Sequence, residues 1–215
     1  MSDIQALYDQ LLQPSPALLA AVAKLDGDLL ILGVGGKMGP SLATLAKQAM
    51  DITGAGRTVI GASRFSEPGL QETLERSGIK TYAVDLLNDE ELSALPDAKN
   101  VLYLAGTKFG TTGKEPFTWA MNAYLPGRVA EKYKQSNIVV FSTGNVYPFT
   151  PVDSGGATEE LLPSPLGEYG QSCLGRERVF QYFAAKNNTP LFIYRLNYSN
   201  YVRYGVLIEI ARSVK

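Results

Sequence analysis

The chain contains no histidine and a single cysteine, Cys173. Zinc sites of the Cys/His type, intrachain disulfides and any Ser-His or Cys-His nucleophile pair are therefore excluded. Acid-base chemistry falls to tyrosine, carboxylate or lysine. The most informative spacing is a glycine series, Gly33, Gly36 and Gly39, which follows the apolar run Leu29-Leu30-Ile31-Leu32 and opens a helix-forming stretch from Leu42 to Met50. Glycines at a strand-to-helix turn let backbone N–H groups approach a pyrophosphate, and the helix N-terminus adds partial positive charge. Lys37 and Met38 lie inside this turn. The spacing is G-x-x-G-x-x-G, so the motif reads either as a dinucleotide cradle or as an ordinary tight turn. Its position at the first strand-helix alternation favours the cradle.

Further candidates fall at the ends of later strands. Ser63 and Arg64 follow the second strand, where an acidic residue would meet the ribose of NAD and an arginine the extra phosphate of NADP. Arg64 tilts the expectation towards NADP, with a solvated surface arginine as the other reading. Asp85 and Leu86 follow the third strand; Asp85 could accept from the adenine amino group or cap the helix that starts near Asn88. Leu104, Ala105 and Gly106 end the fourth strand with small residues that let a cofactor pass close to the backbone, and Lys108 could contact its phosphate or ribose.

These residues need a scaffold, and the sequence describes one. Strands are expected at 29–32, 58–62, 80–84, 100–104, 138–141 and 191–194, with helices between most of them. Such alternation predicts an α/β fold of the Rossmann type, a doubly wound and mainly parallel sheet with helices on both faces. Residues 1–26 read as an N-terminal helical extension, with Ile4, Leu7, Leu11 and Leu12 on one face and a second short helix after Pro14 and Pro16. Residues 27–215 read as the NAD(P)-binding domain. The longest irregular stretch is 148–168, and a last helix is expected at 206–214.

Composition bounds the partners. The 215 residues are 45% hydrophobic and carry a formal charge of −1, so a core is affordable and no electrostatic footprint for nucleic acid or an anionic membrane is present. The apolar run 17–23 is too short to span a bilayer, and with no basic cluster near Asp3 the chain reads as cytoplasmic.

The fifth strand continues into Ser142-Thr143-Gly144-Asn145-Val146-Tyr147, and further on lies Tyr169-Gly170-Gln171-Ser172-Cys173. With the glycine turn, Leu-Ala-Gly-Thr-Lys at 104–108, Asn122 in the next helix and Thr158-Glu159-Glu160, these motifs arrive in the order of one family. From Leu29 to about Tyr204 the chain resembles the extended short-chain dehydrogenase/reductase superfamily, the NAD-dependent epimerase/dehydratase family. The resemblance implies an NAD(P)-dependent oxidoreductase or epimerase/dehydratase acting on a sugar-like hydroxyl or carbonyl, possessing Thr143 as the substrate-holding hydroxyl and Tyr169 as acid-base. Ser142 is the alternative to Thr143. It also implies cofactor contacts at Asn122 and at position 173, a nucleotide sugar or sugar acid as substrate, and a homodimer formed through helices near 115–134 and 170–186.

Two departures fall at the reactive end. The family has a lysine four residues after the tyrosine, one helical turn along the same face, and this chain has Cys173 there. A neutral thiol provides neither a fixed charge nor ammonium donors. Arg176 shares that face two turns, about 10 Å, beyond Tyr169 and would have to bend back to help; otherwise it is a solvated or paired helix residue. After the sixth strand, Arg195-Leu196-Asn197-Tyr198 replaces the usual approach to a proline-containing segment. The second reading is thus a catalytically impaired NAD(P)-binding protein with a regulatory or structural role. Cys173 itself reads as a buried small residue. Tyr147 and Tyr198 are expected to flank the pocket. Family members continue past the sixth strand into a lobe that grips substrate, so substrate choice would rest on 148–168 and such a lobe.

Overall fold

A computed structural model describes residues 6–7, 10–108, 112–201 and 204–214. Ile4 of the expected opening helix lies outside them. Leu12 is buried, whereas Leu7 and Leu11 are exposed. The first complete helix, α1, spans Pro16–Ala23, and the Ser15 side chain caps it by accepting from Leu18 N.

Six parallel strands follow: β1 Leu29–Leu32, β2 Val59–Ser63, β3 Lys80–Ala83, β4 Asn100–Tyr103, β5 Asn137–Thr143 and β6 Leu191–Leu196. Their spatial order is β3-β2-β1-β4-β5-β6. The chain runs outward from β1 to one edge, crosses back and builds the other half, so β1 and β4 flank the switch point where doubly wound sheets hold ligands. Leu29–Leu32 pair in register with Val59–Ala62 on one side and Asn100–Tyr103 on the other. A central strand covered on both faces needs continuous apolar residues, which is why β1 reads LLIL without alternation. Leu30 and Leu32 enter one core layer with Val101, Tyr103, Val140 and Phe180; Ile31 enters the opposite layer with Val34, Ala43, Met50, Val59 and Leu74.

The helices of the two layers are α2 Gly39–Thr53, α3 Leu70–Arg76, α4 Asp89–Ala94, α5 Glu115–Trp119, α6 Leu125–Lys132, α7 Gly167–Asn187 and α8 Val206–Ser213. α2 ends at Gly54, whose left-handed backbone and the Ala55 N–H bond to Met50 O close the last turn. Between α5 and α6 the ladder widens to a π turn, Ala120–Tyr124, with Leu125 N–H donating to Ala120 O. The cause is Pro126, which has no N–H to offer the Asn122 carbonyl four residues earlier.

The six expected strands are present, with ends displaced by up to two residues. β5 and β6 run on through Thr143 and Leu196, because Ser142 pairs with Arg195 and Thr143 with Leu196 beyond the apolar stretch. Among the described residues no helix is long and apolar enough to cross a membrane.

Candidate active site and nucleotide cleft

The glycine turn closes on itself through contacts that only glycine permits at two of its positions. Gly33 has φ +88°, and a Cβ there would stand 2.7 Å from Ala105 N; at Gly39 a Cβ would stand 2.1 Å from the Val34 carbonyl oxygen. These two glycines serve the packing of β1, β4 and α2. Gly36 differs: a Cβ there meets nothing nearer than Gly33 O at 3.4 Å, an ordinary contact. The space beside Gly36 belongs to two adjoining clefts at the C-terminal edge of the sheet. α2 begins here with Met38 at its cap position and no side chain bonded to its free N–H groups, so those donors remain for an anion. A nucleotide diphosphate fits this cradle by geometry and by donor chemistry.

The larger cleft, about 490 Å³, runs from Gly33, Gly36, Lys37, Met38 and Gly39 past Leu104, Gly106 and Lys108 to Thr143 and Tyr169. The smaller, about 210 Å³, is bounded by Ser63, Arg64, Asp85, Leu86 and Ala105 and shares Gly33, Gly36, Leu104 and Gly106 with the first. Fifteen of the expected positions thus border one continuous trough across β1 and β4. Asn122 and Cys173 do not. Both are fully buried behind the wall, and the expectation that they touch a cofactor is corrected accordingly. Asn122 instead staples the β4 loop, its Oδ1 accepting from Thr107 N and its Nδ2 donating to Thr107 O.

Asp85 is not the helix cap. Asn88 takes that role, accepting from Glu90 N and Glu91 N, while Asp85 Oδ1 accepts from Leu87 N within its own turn. Tyr198 lines the larger cleft, with Lys108 Nζ 5.9 Å from its ring centre. Tyr147 is not part of that wall; its hydroxyl accepts from Arg195 Nη1 at 2.7 Å.

At the far end of the larger cleft, Thr143 closes β5 and Tyr169 sits in the first turn of α7. Gly170 lets α7 approach, since a Cβ there would stand 2.7 Å from Asn145 O. Thr143 and Tyr169 both line this end of the cleft, and Thr143 Oγ1 accepts from Asn145 N at 3.2 Å. Ser142 is withdrawn from this role because its hydroxyl donates to the buried Glu177 carboxylate. Burial pushes the Tyr169 phenol up to about 12, the neighbouring Cys173 thiol adds to the rise, and Arg176 and the Thr143 hydroxyl offset part of it. Burial likewise raises the Cys173 thiol, which Arg176 and Tyr169 partly counter.

Arg176 is neither solvated nor paired on a helix surface, contrary to the sequence reading. It is 7% exposed and turns inward, Nη1 donating to Phe141 O and Nη2 to Asn122 Oδ1, each at 2.8 Å. A second buried group went unread from sequence: Glu177, fully buried, accepts from Arg195 Nε at 3.0 Å and Nη2 at 2.7 Å as well as from Ser142. Glu177 and Arg195 are 18 residues apart on different elements. Only the isolated polarity of Arg195 in an apolar strand could have suggested a partner.

No family model and no curated protein sequence matches the chain. Solved structures do. UDP-glucuronic acid 4-epimerase from Bacillus cereus, in complex with NAD, is 26% identical with a TM-score of 0.66, over 79% of this chain and 56% of that one. MoeE5 in complex with UDP-glucose and NAD is 25% identical with a TM-score of 0.62, over 81% and 55%. A short-chain dehydrogenase/reductase superfamily protein from Agrobacterium tumefaciens with bound NAD, 23% identical with a TM-score of 0.63 over 78% and 48%, shares the fold. The chain is a Rossmann-type α/β protein similar in structure to this UDP-glucuronic acid 4-epimerase and to MoeE5, both solved with NAD. It spans about half the length of these relatives.

Proposed function

We propose that this chain forms the cofactor-binding and proton-transfer part of an NAD(P)-dependent epimerase/dehydratase or oxidoreductase acting on a nucleotide sugar or sugar acid. The observation that carries the reading is the Thr143–Tyr169 hydroxyl pair at the end of a trough that begins at the glycine turn. The turn and the α2 N-terminus would hold the pyrophosphate, Asp85 and Leu86 the adenine, and Lys108 a ribose or phosphate. Arg64, in the smaller cleft, favours the adenosine phosphate of NADP. Bound there, the nicotinamide would accept and return hydride.

The residues of this chain would do the rest. Thr143 would orient the substrate oxygen by its hydroxyl, and Tyr169 Oη would give or take the proton on that oxygen. At neutral pH a phenol at about 12 is fully protonated, so Tyr169 is set up to act first as an acid towards a carbonyl. The tyrosinate needed for the reverse direction requires added positive charge. A cytoplasmic homodimer pairing α5–α6 and α7 with their counterparts belongs to the same reading.

The second reading, a cofactor-binding protein without turnover, draws on the neutral, buried Cys173 beside the phenol. Fluorescence titration of the native polypeptide with NADH and NADPH, then NMR of UDP-glucose and UDP-glucuronic acid incubated with the loaded protein, separates the two. The expected result is cofactor binding with conversion of one sugar, and loss of conversion but not of binding in Tyr169→Phe. Binding without conversion of any nucleotide sugar or sugar acid supports the second reading. No binding of either cofactor overturns both, and undiminished turnover in Tyr169→Phe overturns the mechanism.

A further inference from the structure

Arg176 brings a positive charge into the protein interior, and among the described residues no carboxylate forms an ion pair with it. Among the described residues its hydrogen bonds go to neutral acceptors, Asn122 Oδ1 and Phe141 O, and its Nε has no partner. The adjacent carboxylate, Glu177, is committed to Arg195 and Ser142. A guanidinium desolvated in this way lacks the counter-ion that buried charges ordinarily require. An anion formed next to it would therefore be favoured.

The neighbouring groups show where that anion forms. Asn122 accepts from Arg176 and turns its amide towards Ser172 Oγ at 3.0 Å and Cys173 Sγ at 3.9 Å. Cys173 lies one helical turn beyond Tyr169 on α7, and Arg176, Tyr169 and Thr143 line the same cleft. The guanidinium reaches the cleft wall because position 106 is glycine; a Cβ there would lie 2.3 Å from Nη2. Beneath it the Tyr103 ring, 5.8 Å from Cζ, is fully buried and stays protonated. The groups that act on the phenol are Cys173 and Arg176 from α7 and Thr143 from β5, while Lys37, Lys108 and Glu209 line other parts of the same cleft.

We propose that Arg176, held by Asn122 and the Phe141 carbonyl, is the positioning cation that balances the charge appearing on Tyr169 Oη when its proton passes to substrate. This rests on the reading of Tyr169 as acid-base. In the balanced step the Oη–H bond breaks, the proton bonds to the substrate oxygen, and the phenolate left behind stands near the guanidinium. Cys173 adds no charge; it fills the interior between phenol and amide.

The test reads ionisation without substrate. Tyr169 is replaced by a difluorinated tyrosine, which ionises at lower pH than tyrosine, and its fluorine NMR signal is followed through a pH titration. Arg176→Met is expected to raise the midpoint by about one pKa unit or more, and Arg176→Lys to recover part of that rise. An unchanged midpoint in folded Arg176→Met overturns the proposal. If Arg176→Met does not fold, Gly106→Ala displaces the guanidinium without removing it; a raised midpoint supports the proposal and an unchanged one overturns it. A chain that fails to convert any sugar leaves this titration intact, so the two readings fail separately.

Discussion

Replacing Gly36 by alanine should separate what the glycine turn does for the fold from what it does for a ligand. Gly36 has no positive φ, and an added Cβ would touch only Gly33 O at 3.4 Å, so the folded state accommodates it. Removing glycine freedom from the unfolded chain at such a site stabilises by about 0.4–1 kcal/mol, or about +1 to +4 °C in Tm for a chain of this size. The methyl group would nevertheless occupy the trough where a diphosphate must approach the backbone. Losing one charge-assisted N–H bond costs about 1.5–3 kcal/mol, a weakening of about 10- to 150-fold. Gly33→Ala provides the contrast: its φ of +88° and its 2.7 Å approach to Ala105 N demand backbone movement, so stability falls by at least about 2 kcal/mol. Thermal unfolding and NADH fluorescence titration on both variants decide the matter. Gly36→Ala binding NADH as tightly as the parent would refute the cradle, and a large drop in its Tm would refute the packing argument.

Three further outcomes follow, two from buried groups and one from the exposed Arg64. Glu177→Gln leaves the Arg195 guanidinium without its charge partner and should cost about 3–5 kcal/mol in urea unfolding; a loss below about 1 kcal/mol would mean the pair is solvated. Tyr169 binds its proton more tightly when folded than unfolded, its pKa being pushed up to about 12. Its contribution is therefore complete below about pH 10 and is lost as pH rises towards 12, by about 3 kcal/mol at most; burial raises Tyr103 and Tyr133 in the same direction. Urea unfolding between neutral and alkaline pH should show this fall, less steeply in Tyr169→Phe, and an unchanged slope would refute it. Arg64→Ala should weaken NADPH binding by about 10-fold while leaving NADH binding nearly unchanged; equal effects on the two would remove Arg64 from cofactor choice.

Much of the scaffold was legible because its determinants are local. Leu29–Leu32 reads as a strand buried on both faces, and the glycines after it read as a turn that opens a helix. The same holds for Ser63, Arg64, Asp85, Leu86 and 104–106: once strands are parallel, residues just past their C-terminal ends gather along one edge of the sheet. Strand ends were less legible, since Ser142, Thr143 and Arg195 join β5 and β6 by pairing with each other's strand rather than by hydrophobicity.

The sequence by itself determined the order of the sheet's contributors, the place of the cradle and the exclusion of histidine and metal-thiol chemistry. Only the tertiary structure decided what surrounds Tyr169. Helical rise puts Arg176 two turns from the phenol, and nothing local says that it turns inward. It does so because Pro126 forces a π turn that directs Asn122 into the interior, Gly106 leaves room on β4's loop, and Phe141 offers a carbonyl. Each of those conditions comes from a different element, so the charge beside the candidate acid-base is a property of their packing rather than of any motif.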